Sequence, residues 1–215
     1  YELTLGLSAV GIVLLSGTFN LRYIVEQQAG GFWHWNIVRQ PLGFVLFLLA
    51  GIAETNRLPF DLPEGESELT GGYHTEYSSM RFALFFMGEY VNIFIMSALV
   101  ATLFLGGFQL PYPYEFTGRP VDALVGFASI SAKIALFIFV FYWLRGTLPR
   151  LRYDQLMSLG WKILLPLAFV NLFATALMIV FGFRLWQMAL FGLAALVVAD
   201  IALERVLWRQ RRASA

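Results

Sequence analysis

The residues best suited to chemistry in this chain lie in an acidic segment between positions 54 and 76. Pro59 and Pro63 disfavour helix at the residues that precede them, so this segment is predicted to be a loop. Composition alone allows either a solvated loop, whose charges keep it out of lipid, or a site that uses its carboxylates. Six of the chain's 14 acidic residues fall there, with Arg57 among them: Glu54, Asp61, Glu64, Glu66, Glu68 and Glu76.

Further ionisable residues lie within apolar stretches of the sequence. Glu2 and Glu89 are flanked by apolar residues, Glu54 closes the stretch before the acidic loop, and Lys133 lies in the middle of another. A charged group at membrane depth costs roughly 2.5–3.5 kcal/mol on insertion scales and usually faces a bundle interior or a water-filled path. These residues could relay or share protons. The alternative is that they form buried ion pairs that lock helix packing.

The elements that must position these residues are predicted to be membrane helices. Of the 215 residues, 59% are hydrophobic and 13% are charged, against about 25% charged in a soluble domain. Lipid offers no partners for the backbone, so helices are the expected form of long apolar runs. The sequence therefore predicts an all-α integral membrane protein with about six transmembrane helices and the acidic loop between the second and third. The runs are 3–19, 41–55 (extended upstream through Ile37 and Val38), 82–105, 121–143, 162–182 and 185–203.

The distribution of Lys and Arg predicts the orientation. Because successive spans alternate, the acidic loop, the loop 144–161 and the C-terminal tail share one side. That side carries ten basic residues, while the other carries Arg22, Arg39, Arg119 and Arg184. Excess positive charge marks the cytoplasmic side, so the acidic loop and the C-terminus are predicted to be cytoplasmic.

Several functional classes find no support in the sequence. The absence of cysteine excludes disulfides and thiolate-held clusters. The two histidines, His34 and His74, are too far apart to suggest a metal site. A net charge of +1 with segregated charges argues against nucleic-acid binding. No P-loop, dinucleotide fingerprint or nucleophile elbow occurs, so no catalytic residue is predicted.

A second charged segment, residues 145–156, is predicted to be a basic loop that enters a helix. Arg150 and Asp154 are four residues apart and could pair on one helix face. A positive-inside anchor explains the charge, and a docking surface for a soluble partner is the alternative. The residues expected to form that surface are Arg150, Arg152, Tyr153 and Asp154.

Two long motifs resemble one family of membrane proteins, the H-type membrane subunit of respiratory complex I (NADH:quinone oxidoreductase). The resemblance runs from Tyr1 to about Asn171, and the opening Tyr1-Glu2-Leu3 is similar to a family helix that carries a glutamate. The first motif reads Glu54-Thr55-Asn56-Arg57 and Pro59-Phe60-Asp61-Leu62-Pro63-Glu64-Gly65-Glu66-Ser67-Glu68-Leu69, and continues through Gly72-Tyr73-His74-Thr75-Glu76-Tyr77 to Glu89-Tyr90. The second reads Leu148-Pro149-Arg150-Leu151-Arg152-Tyr153-Asp154-Gln155-Leu156-Met157.

The resemblance implies roles for the residues already singled out. The family lines a quinone access channel and helps to form the quinone chamber. The chamber loop would include Arg57, Asp61, Glu64, Glu66, Glu68 and Glu76. The buried residues that couple quinone reduction to proton translocation would be Glu2, Glu54 and Glu89, with Lys133 as a possible member.

The resemblance also implies partners and a location. Ubiquinone or menaquinone would be the substrate, while Fe–S clusters and FMN would be held only by partner subunits, and this chain would contain no redox centre or metal. Its partners would be quinone-module subunits of the peripheral arm, antiporter-like membrane subunits and lipid. The location would be the bacterial inner membrane. Two regions are expected: a membrane domain like that of the family over 1–181, without the family's N-terminal part, and an additional C-terminal helix with a basic tail over 182–215.

Two other functions remain open for this sequence. The related membrane subunit of energy-converting hydrogenases would couple ferredoxin oxidation to protons without a quinone. A passive anchor would only dock the peripheral arm, and its glutamates would have no part in proton transfer.

Overall fold

Helices make up every regular element of the part of the protein that the structure describes. The structure is a computed structural model, and it describes residues 1–55, 60, 79–112, 120–148, 153–183, 187 and 189–197. The elements are α1 (Glu2–Ser16), α2 (Leu21–Glu26), a 3₁₀ turn (Phe32–His34), α3 (Asn36–Arg39), α4 (Pro41–Glu54), α5 (Met80–Phe104), α6 (Pro120–Thr147), α7 (Tyr153–Leu159), a π-helical turn (Gly160–Leu164) and α8 (Leu165–Val180). Residues 189–197 are also helical.

Three of the helices are long and apolar enough to cross a bilayer. They span Met80–Phe104, Val121–Thr147 and Tyr153–Val180, where α7, the π-helical turn and α8 run on as one helix. The apolar helices α1 and α4 are shorter, with 15 and 14 residues. The all-helical prediction is confirmed for the described residues. The sixth predicted run, 185–203, lies mostly outside them, so the count of six spans stays a prediction.

Two predicted boundaries were wrong. The second run does not extend upstream as one helix, because Gln40 has φ −134° and ψ 66° and separates α3 from α4. Pro41 follows it, and proline disfavours helix at the residue before it. The loop 144–161 is also shorter than predicted, because α6 continues to Thr147 and the next helix already begins at Tyr153.

The short helix α4 lies at the centre of the bundle. It contributes Phe47 to a core with α1 and α5, Ile52 and Ala53 to a second core with α5 and α6, and Leu42 and Leu46 to a third with the π-helical turn and α8. Gly51 allows close approach, since a Cβ there would lie 2.9 Å from Met96 Cε. Small residues let membrane helices pack closely, so α4 is held on several sides.

The helix α1 buries its small and polar residues and exposes its apolar ones. Its buried residues are Thr4, Ser8, Gly11, Ile12 and Ser16, whereas Leu3 and Leu14 are exposed. This face packs against α4 and α8. Ser8 Oγ donates to the Thr4 carbonyl at 2.8 Å, so the buried hydroxyl is satisfied within its own helix. Such a pattern is expected where lipid covers the outer face.

Side chains from the segment between α1 and α4 bind the carbonyl end of α5. Gln28 is fully buried, and its Nε2 lies 3.3 Å from the Leu103 carbonyl oxygen. Asn36 Nδ2 donates to the same oxygen at 2.9 Å, and its backbone N–H donates to Gln28 Oε1 at 3.0 Å. The last carbonyls of a helix have no partner within the helix. These amides supply the missing donors and fix the segment against α5.

Lys133 of α6 caps the same end of α5. Its ammonium nitrogen Nζ lies 2.7 Å from the Leu105 carbonyl oxygen and 2.8 Å from that of Gly107, and it also donates to the carbonyl of Gln109. Nζ lies 4.4 Å from the ring centroid of Trp35, which is a favourable cation–π distance. A positive charge at a helix carbonyl end is stabilising, so Lys133 joins α6 to α5.

We expect Lys133→Met to destabilise the protein strongly. The substitution removes three hydrogen bonds at a buried site, and each carbonyl left unsatisfied costs about 1–3 kcal/mol. Thermal unfolding of the detergent-solubilised protein would measure the loss. Lys162→Met is the matched control because Lys162 is exposed. Equal melting temperatures for the two variants would show that the cap contributes no stability.

Candidate functional site

An apolar cavity of about 340 Å³ lies at one end of the bundle. Its walls come from the start of α1, the end of α4, and the helix that α7 begins. The π-helical turn contributes Gly160, Trp161 and Leu164, and such turns often occur at functional sites. The complete lining is Tyr1, Leu3, Thr4, Ala53, Phe60, Tyr153, Leu156, Met157, Leu159, Gly160, Trp161, Leu164 and Leu165. The cavity could accept an apolar or aromatic ligand.

Phe60 joins the acidic loop to this cavity. It is 6% exposed and packs in the core that contains Ile52, Ile93 and Phe141. Its neighbours on both sides in sequence lie outside the described residues. Phe60 was not predicted as a site residue, although an apolar aromatic among prolines and carboxylates is a signal that it must be buried.

Glu54 and Glu89 lie on neighbouring helices near the cavity. Glu54 ends α4 and is half-buried, and its backbone carbonyl oxygen lies 3.4 Å from Asn92 Nδ2 of α5. Glu89 precedes Asn92 by three residues and therefore shares its side of α5. Glu89 is half-buried, with its Oε2 atom shielded from solvent. The contact through Asn92 brings the carboxylate-bearing end of α4 to the part of α5 that carries Glu89.

Tyr1 lies between the cavity and the glutamates. It precedes α1 and lines the cavity, while Glu2 opens the helix and is exposed. Burial of the phenol raises the pKa of Tyr1, and the charges of Glu54 and then Glu2 add to this effect. The electrostatic effect places Tyr1 within range of both carboxylates, so the predicted residues Glu2 and Glu54 are brought to the same end of the bundle.

Lys133 is not part of this group of glutamates. Its ammonium is bound at Leu105, whereas Glu89 lies 16 residues earlier on the same chain segment. At 1.5 Å per helical residue, the separation along α5 is on the order of 20 Å. The described contacts of Lys133 are carbonyls and an aromatic ring, which fit a structural role.

The predicted docking residues are described in part. Tyr153 and Asp154 open α7 and are exposed, and Tyr153 also lines the cavity. Arg150 and Arg152 lie outside the described residues, as do the chamber-loop residues Arg57, Asp61, Glu64, Glu66, Glu68 and Glu76. Within the described ranges, no three His, Asp or Glu side chains are grouped so that they could hold a metal ion.

Together, the spanning helices, the apolar cavity and the carboxylates beside it define a helical membrane protein with an apolar site next to ionisable groups. The chain belongs to the NADH dehydrogenase family, whose sequence profile matches residues 1–176. This agrees with the resemblance drawn from the two motifs.

Similar proteins from three bacteria are all named as the NADH-quinone oxidoreductase subunit that is designated H. The protein is 52% identical over 181 residues to the one numbered 2 in Koribacter versatilis, covering 83% of this chain and 51% of the relative. It is 53% identical over 175 residues to the one numbered 1 in Geobacter metallireducens, with 81% and 49% covered. It is 47% identical over 192 residues to the one in Salinibacter ruber, with 85% and 56% covered. The chain therefore spans about half the length of the curated relatives it matches.

We expect Phe60→Ala to destabilise the cavity end of the bundle. Replacing a buried Phe by Ala typically costs about 3–5 kcal/mol, because packing is lost and a void remains. Denaturant unfolding of the solubilised protein would measure the change. The control is Phe173→Ala, since Phe173 of α8 is 65% exposed and its loss leaves no internal void. A Phe60 variant as stable as this control would contradict the assigned packing.

Proposed function

We propose that this chain is part of a membrane subunit of a proton-pumping NADH:quinone oxidoreductase. In this proposal it contributes to the quinone access channel and chamber, and it couples quinone reduction to proton translocation through Glu2, Glu54 and Glu89. The observation that carries the proposal is the hydrogen bond from Asn92 to the Glu54 carbonyl, which joins the two glutamate-bearing helices beside an apolar cavity. The names of the similar proteins support the assignment to this complex.

The cavity suits part of a quinone. A quinone has a flat aromatic head and an apolar tail, and pockets for such ligands are lined mainly by apolar and aromatic side chains. Tyr1, Phe60, Tyr153 and Trp161 provide aromatic walls, and leucines provide most of the rest. The acidic loop would complete the chamber through Arg57, Asp61, Glu64, Glu66, Glu68 and Glu76. Ubiquinone or menaquinone is the proposed substrate, with Fe–S clusters and FMN in partner subunits.

The glutamates suit a coupling role because they lie at a boundary between apolar and polar surroundings. A carboxylate that is partly shielded responds strongly to a nearby change of charge, since the effective dielectric constant is lower than in water. Glu54 and Glu89 are half-buried on adjacent helices. A proton taken up near the cavity would therefore alter their protonation. Lys133 fits a helix cap better than a member of this series, because its hydrogen bonds lie at the other end of α5.

The start of α7 suits contact with a soluble partner. Tyr153 and Asp154 are exposed beside the cavity mouth. With Arg150 and Arg152 they would dock quinone-module subunits of the peripheral arm. The proposed location is the bacterial inner membrane, with the acidic loop and the C-terminus on the cytoplasmic side and antiporter-like subunits as membrane neighbours.

Two alternatives make different predictions. A membrane subunit of an energy-converting hydrogenase would bind no quinone, and the similar proteins disfavour it because they are named as quinone oxidoreductase subunits. A passive anchor would tolerate neutral replacements at its glutamates. Each alternative is addressed by one of the following experiments.

We expect Glu54→Gln and Glu89→Gln to lower proton pumping without loss of assembly. Glutamine keeps the size of the side chain and most of its hydrogen bonding but cannot titrate. The pumping of protons per NADH oxidised in inverted membrane vesicles should fall to a small fraction of the unmodified value. Glu26→Gln is the matched control, because Glu26 forms an exposed ion pair with Arg22. Normal pumping by both test variants would support the passive anchor.

We expect Met157→Trp to raise the KM for a long-tailed quinone about tenfold, which corresponds to roughly 1.4 kcal/mol of binding. Met157 lines the cavity and is 41% exposed, so a larger side chain would narrow the mouth. Steady-state oxidation of NADH with long-tailed and tail-less quinones would show the difference. The same change at Met80, which is 74% exposed and does not line the cavity, serves as the control. Unchanged KM values for both quinones would argue against the cavity as the quinone path.

A further inference from the structure

Three polar side chains meet inside the bundle where α1, α4 and α8 come together. Gln40, Asn171 and Thr175 are each no more than 4% exposed. The core formed by Leu42, Leu46 and other apolar residues lies next to them in sequence on the same helices. A buried polar group among apolar residues is costly unless it is hydrogen-bonded, so each donor and acceptor in this cluster needs a partner.

Most of these groups have partners in the structure. Gln40 Nε2 lies 2.8 Å from Thr175 Oγ1 and 3.3 Å from the Gly11 carbonyl oxygen. Thr175 Oγ1 donates to the Asn171 carbonyl oxygen at 2.7 Å, so it accepts from Gln40. Both oxygens facing Gln40 are acceptors, so the amide nitrogen must face them. The amide oxygen of Gln40 therefore points to the other side.

Two atoms of the cluster have no hydrogen-bond partner among the described residues. They are the acceptor Gln40 Oε1 and the donor Asn171 Nδ2, and both are shielded from solvent. A Cβ added at Gly43 would lie 3.2 Å from each of them. A Cβ added at Gly11 would lie 3.2 Å from Oε1 and 3.6 Å from Nδ2. An unpaired acceptor and an unpaired donor therefore face the same small space, which the two glycines leave free of side chains.

We propose that an ordered water molecule binds between Gln40 and Asn171. The water accepts a hydrogen bond from Asn171 Nδ2 and donates one to Gln40 Oε1. A single water that satisfies two buried polar groups costs little entropy compared with leaving both groups unpaired. Its position beside Gly11 and Gly43 makes it a bridge between α4 and α8 next to α1.

The site has a structural consequence for the cavity. The helices that meet at the water also supply cavity walls, with Thr4 from α1 and Ala53 from α4. The water therefore helps to hold these walls in register from within the bundle. This proposal does not depend on the proposed function, since it concerns only the packing of α1, α4 and α8.

Cryo-electron microscopy of the purified assembly, at a resolution that shows ordered water, tests the proposal directly. We expect a density peak about 2.7–3.2 Å from both Gln40 Oε1 and Asn171 Nδ2. A map with no peak, or with a direct hydrogen bond between the two side chains, would overturn the proposal. This measurement uses the unmodified protein, so it does not depend on the folding of any variant.

Two variants add a second test. Gly43→Ala places a methyl group 3.2 Å from both atoms, so the peak should disappear and the melting temperature of the assembly should fall. Gly6→Ala is the matched control, because Gly6 lies on the exposed face of α1 with nothing within 4 Å of an added Cβ. It should keep both the peak and the melting temperature. Retention of the peak in Gly43→Ala would contradict the assigned position, and Asn171→Leu should remove it by deleting the donor.

Discussion

A backbone carbonyl that lacks a donor inside a bilayer has no water to bind, and the carbonyl end of α5 shows how this protein meets that constraint. Gln28, Asn36 and Lys133 come from distant parts of the sequence and converge on the carbonyls of residues 103–109. Their donors replace those that a continuing helix would provide. The arrangement ties α6 and the segment before α4 to one end of α5. It thereby fixes the orientation of the helix that carries Glu89.

The central position of α4 follows from its small residues as much as from its apolar ones. Gly43 and Gly51 allow neighbouring side chains to approach within the radius of a methyl group. Because α4 is enclosed on several sides, its last residues cannot move independently of α1, α5 and α8. Glu54 is therefore placed by the packing of a whole helix, and Asn92 adds a direct contact to α5. A rigid support of this kind is what a site needs if its carboxylates are to respond to a neighbouring ligand.

The sequence predicted the helical class and the family, because long apolar runs and extended motifs carry both signals locally. It located Glu54 and Glu89 on successive helices for the same reason. It did not predict the cavity, since Tyr1, Phe60 and Trp161 are distant in sequence and meet only through packing. Lys133 illustrates a second limit. A lysine in an apolar run is expected to find a partner, but the sequence does not show whether that partner is a carboxylate or a set of helix-end carbonyls.

The proposed coupling requires that a change at an apolar site be sensed by carboxylates that do not touch the ligand. Tyr1 has both properties that such a connection needs, because it lines the cavity and interacts electrostatically with Glu54 and Glu2. Charges separated by apolar walls interact more strongly than charges in water. A ligand that takes up charge in the cavity would therefore change the electrostatic free energy of Glu54 through Tyr1 and the thin wall formed by the end of α4. The contact from Asn92 to the Glu54 carbonyl extends that influence to the helix that carries Glu89, so the change can leave the cavity along a path built only from packed helices.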